Sequence, residues 1–66
     1  MKISYNKLWK LLIDRKMSAA ELRKLVCIAP NTLTKLRHDE PVTLEVLGRI
    51  CEKLGVNIGD VMEFIY

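Results

Sequence analysis

The stretch from Ser18 to Arg37 constrains this chain more than any other part of its sequence. It reads Ser-Ala-Ala-Glu-Leu-Arg-Lys-Leu-Val-Cys-Ile-Ala-Pro-Asn-Thr-Leu-Thr-Lys-Leu-Arg. Its apolar residues Leu22, Val26, Ile28, Leu33 and Leu36 recur at intervals that fit two short helices joined by a tight turn. Buried together, they would hold the two helices at a fixed angle. Asn31, Thr32, Lys35 and Arg37 remain in and around the second of these helices, several of them free to face outward. This is the layout of a helix-turn-helix, the motif that presents its second helix to the major groove of DNA.

The boundaries of the stretch have physical markers. Ser18 and Glu21 have the spacing of a capping box, and Met17 and Leu22 occupy the hydrophobic-staple positions around it. The helix they open is expected to end near Leu25 or Val26. The next begins at Pro30, because proline at the first helical position gives up an amide that would have no intrahelical partner anyway. That makes Ala29 the cap, and alanine caps poorly. The free amides there are left to water or to a phosphate.

The flanking sequence reads as further helices. Tyr5, Leu8, Trp9, Leu12 and Ile13 recur at helical spacing from near Tyr5 to near Arg15. His38-Asp39-Glu40-Pro41 reads as a loop. Thr43 then caps a fourth helix, with Val42 and Leu47 as its staple. Leu44, Leu47, Ile50, Cys51 and Leu54 form one apolar stripe along it, and Gly55 ends it in the left-handed position. Asn57, with Asp60 and a Val56–Val61 staple, caps a last short helix whose Ile58, Val61, Met62 and Ile65 face inward. The expected fold is all-α: a compact bundle of about five helices, without a convincing strand, with residues 1–66 as one domain.

Composition narrows the function. Half of the 66 residues are hydrophobic and 29% are charged, enough for a core and a solvated surface. No apolar run approaches the roughly 18 residues of a membrane span. Met1-Lys2-Ile3-Ser4-Tyr5-Asn6-Lys7 carries no apolar signal region, so a cytoplasmic protein is expected. The net charge of +3 divides unevenly: residues 1–37 carry +7 and residues 38–66 carry −4. A basic front and an acidic back suit a protein that docks one face on a polyanion. Cys27 and Cys51, with His38 as the single histidine, cannot complete a four-ligand zinc site. Both cysteines read as buried reduced thiols. Gly48, Gly55 and Gly59 do not form a phosphate-binding loop, and Tyr5, Trp9 and Phe64 read as core. The expectation is a non-enzymatic protein without cofactor, metal or small-molecule ligand.

The order of these elements, from about Lys7 to Phe64, resembles the small Cro/repressor-type (Xre-like) helix-turn-helix domains, which share the lambda repressor-like fold. The likeness is most specific in Thr43-Leu44-x-x-Leu47-x-x-Ile50-Cys51-x-x-Leu54-Gly55-Val56 and in Asn57-Ile58-Gly59-Asp60-Val61-Met62-Glu63-Phe64. The resemblance implies a sequence-specific DNA-binding transcriptional regulator whose third helix meets base edges through Pro30, Asn31, Thr32 and Lys35. Asn31 would pair bidentately with adenine and Lys35 would reach guanine. Thr32 would contact a base, a thymine methyl or a phosphate. Thr34 or Arg37 would touch phosphate, and Lys16, Ser18, Ala19 and Lys24 would approach the backbone.

The chain also departs from that pattern. Ala19 stands where glutamine is frequent and Arg23 where a small residue is common. Cys27 replaces the usual turn glycine, so it must accept a left-handed backbone or the turn must take another shape. Asp39 and Glu40 follow the third helix, where they would repel phosphate and favour the amino end of the fourth helix. The resemblance further implies homodimerisation, at least on DNA. Phe64, Ile65 and Tyr66 either form that interface or, in the case of Phe64 and Ile65, close the core. The alternative function is a helical protein-interaction module that has lost DNA binding.

Overall fold

Four α-helices appear in the computed structural model, which describes residues 1–66: α1 Asn6–Asp14, α2 Ala19–Val26, α3 Pro30–Arg37 and α4 Leu44–Leu54. The expected fifth helix is a single 3₁₀ turn, Ile58–Asp60, and two strands that the sequence did not announce flank the helices. Strand β1 (Lys2–Ser4) pairs antiparallel with β2 (Glu63–Ile65), setting Ile3 opposite Phe64. The all-α expectation is therefore corrected to four helices with a small two-stranded sheet. Strands of three residues are too short to show a period of two. Their partners also lie at opposite ends of the chain, so no local turn signal betrays them.

The core is a cluster of eleven buried side chains: Tyr5, Leu8, Leu12, Leu22, Val26, Ile28, Leu36, Leu47, Ile50, Leu54 and Val61. Every α-helix contributes, and Val61 extends the cluster past the 3₁₀ turn. Several expected core residues lie elsewhere. Ile13 and Leu44 are largely exposed, being in the last turn of α1 and the first residue of α4, beyond the overlap of the helices. Leu33 is half-buried, Ile58, Phe64 and Ile65 are exposed, and Trp9, Met62 and Cys51 are half-buried but pack against the core. Cys27 is exposed, contrary to expectation, because its turn points it outward; both cysteines are free thiols.

The start signals act as read. Ser18 Oγ accepts from the Glu21 amide at 3.1 Å and Glu21 Oε1 accepts from the Ser18 amide at 3.2 Å. Thr43 Oγ1 accepts from the Val46 amide at 3.2 Å. At the 3₁₀ turn, Asp60 Oδ2 accepts from the Asn57 amide at 3.2 Å.

The stop signals are more uniform than the sequence indicates. Each α-helix is followed by a residue at positive φ: Lys16 (54°), Cys27 (60°), Asp39 (55°) and Gly55 (67°). In each case the next amide donates back to the carbonyl five residues earlier: Met17 to Leu12, Ile28 to Arg23, Glu40 to Lys35 and Val56 to Cys51. This is the Schellman closure, and it satisfies carbonyls that the helix end would otherwise leave open. Only Gly55 is the residue usually found there. Cys27 thus accepts the left-handed conformation, so the turn keeps its ordinary shape without glycine.

These caps generate a stability prediction. Lys16→Gly and Cys27→Gly should each stabilise the fold by about 0.5–1 kcal/mol, the left-handed penalty of a side chain less the entropy that glycine costs. Gly55→Ala should lose a similar amount through φ alone, since a Cβ there meets no atom within 4 Å. Urea midpoints at constant m-value read the effect; unchanged midpoints for both glycine variants would show that the turns carry no strain.

Candidate nucleic-acid interface

Helix α3 is anchored from one side. Leu36 is fully buried, while Leu33 and Thr32 are half-buried beside it. At 100° per residue this leaves Pro30, Asn31, Thr34 and Lys35 on the opposite side, and all four are exposed. Arg37 is exposed in the last turn. No acidic residue occurs from Leu22 to His38, a span holding Arg23, Lys24, Lys35 and Arg37. The molecule's ion pairs, Lys7–Glu63 at 3.9 Å and Arg49–Glu45 at 2.9 Å, involve none of these cations.

The remaining candidate residues divide by what their polar atoms already do. Thr34 Oγ1 donates its proton to the Pro30 carbonyl at 3.1 Å, which leaves Arg37 as the free donor on that flank. Ser18 Oγ accepts from Glu21 and keeps its own proton available. Ala19 is half-buried, whereas Lys16 and Lys24 are exposed on either side of the α2 start and middle. Ala29 gives α3 no side-chain cap, so the positive end of that helix is free to meet an anion.

Thr32 and Lys35 also form one wall of a shallow open groove. Pro41, Val42, Thr43 and Val46 form the other wall. The sequence did not place these four beside Thr32 and Lys35. The signal was present in the short loop before the Thr43 cap, which obliges the first turn of α4 to return alongside α3.

The acidic loop lies elsewhere than expected. Asp39 does not serve the amino end of α4: its Oδ1 accepts from the Tyr5 amide at 3.0 Å, at the start of α1. Ser4 Oγ accepts from the Asn6 amide at 3.3 Å beside it. The Tyr5 hydroxyl donates to the Glu40 carbonyl at 2.8 Å. Tyr5 is 1% exposed. Burial pushes its phenol above the ordinary value; the Val42 amide opposes this, and the charge of Asp39 adds to it.

An α3 that is basic, free of acids and exposed, held across a left-handed turn from a capped α2, is the arrangement found in proteins that read DNA. The family model for the Cro/C1-type helix-turn-helix DNA-binding domain matches residues 7–66. The chain belongs to this family. Among solved structures it is similar to the transcriptional regulator VanUg, with 52% identity over 94% of this chain and 83% of that one, at a TM-score of 0.92. A search of curated proteins finds no match.

In this Cro/C1-type domain the departure at Asp39 has a local explanation, while nothing in the structure explains the side chains of Ala19 and Arg23. Arg23 is half-buried, and its carbonyl accepts the amides of Cys27 and Ile28 that close α2. Asp39 supplies the left-handed residue after α3 while its carboxylate accepts from the Tyr5 amide just before α1. No helix is long and apolar enough to cross a membrane.

The shifted phenol predicts an alkaline effect. Because folded Tyr5 holds its proton above the ordinary pKa near 10, its contribution is fully present below about pH 10. It falls as pH rises beyond that, where the unfolded chain ionises and the folded one does not. Tyr5→Phe should therefore lose stability less steeply than the parent above pH 10. Denaturation at neutral and alkaline pH tests this; parallel losses would contradict it.

Proposed function

We propose that this protein is a sequence-specific DNA-binding transcriptional regulator that inserts α3 into the major groove. The observation that carries the reading is the exposed, acid-free face of α3 bearing Asn31 and Lys35. These are side chains whose donors and acceptors match adenine and guanine edges. Pro30 and Thr32 border the same contact. Arg37, Lys16, Ser18, Ala19 and Lys24 serve the sugar-phosphate backbone, setting register without reading sequence, and Thr34 joins them only by giving up its bond to the Pro30 carbonyl. We take residues 1–66 as one domain, non-enzymatic and cytoplasmic, with double-stranded DNA as its partner.

Two copies are proposed to bind together on DNA. One α3 covers few base pairs, and paired half-sites about one helical turn apart supply the rest. Phe64, Ile65 and Tyr66 are 49%, 48% and 96% exposed. Their clustering in and after β2 supports a contact through the carboxy-terminal half.

Selection of bound sequences from a random duplex pool would supply the operator. Affinity for it should fall steeply with salt as lysine and arginine displace condensed counterions. Asn31→Ala and Lys35→Ala should each reduce discrimination by about 1–3 kcal/mol. Lys16→Ala and Lys24→Ala should weaken cognate and scrambled DNA alike. Equal losses from all four on both DNAs would reassign the reading helix, and salt-independent binding would reject the DNA-reader proposal. Sedimentation with a palindromic duplex should give two chains per duplex; one chain throughout would refute the dimer.

A further inference from the structure

The four helix ends share one closure but not one anchor. After α1, α2 and α4, the residue that follows the left-handed position is Met17, Ile28 or Val56, each packed in or against the core. An apolar residue there commonly fixes a Schellman turn by contact with the helix it closes. After α3 that residue is Glu40, which is exposed. The end of the reading helix therefore lacks the apolar anchor of the other three.

Tyr5 takes its place. Its hydroxyl holds the Glu40 carbonyl at 2.8 Å and its amide holds the Asp39 carboxylate at 3.0 Å. The bonded residues are more than thirty positions apart in sequence, so this clasp ties the turn to the junction of β1 and α1. Glu40 immediately precedes Pro41, Val42 and Thr43, which wall the groove opposite Thr32 and Lys35.

We propose that Tyr5, through Asp39 and Glu40, is a positioning residue for sequence discrimination: it fixes the groove wall and the end of α3 without touching DNA. The inference rests on the DNA-reading function proposed above. Tyr5 is 1% exposed and cannot itself reach a duplex. Losing its hydroxyl leaves Lys16, Lys24 and Arg37 in place, and contacts to phosphate tolerate small shifts. Hydrogen bonds to base edges do not, because their geometry is narrow. Loosening the clasp should therefore reduce selectivity more than total affinity.

The test measures the ratio of cognate to scrambled affinity well below each variant's melting temperature, so that only folded protein is compared. The parent must first discriminate between the two DNAs; a ratio of one there refutes the DNA-reading proposal itself, and with it this inference. Given a discriminating parent, Tyr5→Phe should lower the ratio about three- to tenfold, within the range of one lost hydrogen bond, while scrambled DNA binds nearly as before. Asp39→Asn keeps an acceptor and tolerates positive φ; it should keep the parent ratio while binding both DNAs more tightly at low salt. Asp39→Ala loses both properties and should lower the ratio as Tyr5→Phe does, with the same tightening at low salt as Asp39→Asn. If Tyr5→Phe does not fold, the two Asp39 variants decide. A lower melting temperature with an unchanged ratio in the folded variants would make the clasp merely structural and overturn the proposal.

Discussion

Every α-helix in this protein stops at a residue held left-handed, and the rest of the architecture depends on those four stops. The helices run only 8 to 11 residues, too short to persist alone in water. They exist because their apolar faces meet in one core. For that to happen the chain must reverse within a few residues of each helix end, and the Schellman closure does so while satisfying the last carbonyls. A side chain at positive φ costs roughly 1–2 kcal/mol. A fully buried leucine contributes about 1.5–3 kcal/mol. Leu8, Leu22, Leu36 and Ile50, all with no exposed surface, together outweigh the cost at Lys16, Cys27 and Asp39. The core imposes the turns, and the turns aim the helices.

The same balance shapes the candidate interface. Because buried Leu36 binds α3 to the core from one side, its other side is left for polar residues and cations. The turn at Cys27 sets the relation between α2 and α3, and the turn at Asp39 sets that between α3 and α4. Asp39 has a second consequence. Its carboxylate accepts from the Tyr5 amide at the positive end of α1, where a negative charge is favoured. Structural and electrostatic needs are met by one residue in one conformation.

Much of this is legible in the sequence. The Ser18–Glu21 box, the Thr43 cap and Gly55 marked boundaries because their signals are local: each uses a hydrogen bond or a backbone preference spanning three residues or fewer. The stripes of α2 and α4 gave Leu22, Val26, Leu47, Ile50 and Leu54 as core, since helical periodicity reports which side chains share a face. The same periodicity overreached at Ile13 and Leu44. It shows which face a residue is on but not where along the helix the neighbouring helices cease to cover it.

By itself, then, the sequence determined the four α-helices, their starting points, the polar character of α3 and the asymmetry of charge along the chain. These follow from interactions between residues close in sequence. Tertiary structure alone decided the β1–β2 pairing of the chain ends, the Tyr5 clasp on Asp39 and Glu40, and the groove between Thr32, Lys35 and the start of α4. It also decided that Lys16, Cys27 and Asp39 would be left-handed, because nothing in a lysine, a cysteine or an aspartate demands positive φ until packing on both sides leaves no other way to turn. Each of these depends on contacts between residues distant in the chain, or on strain that only a completed core can impose.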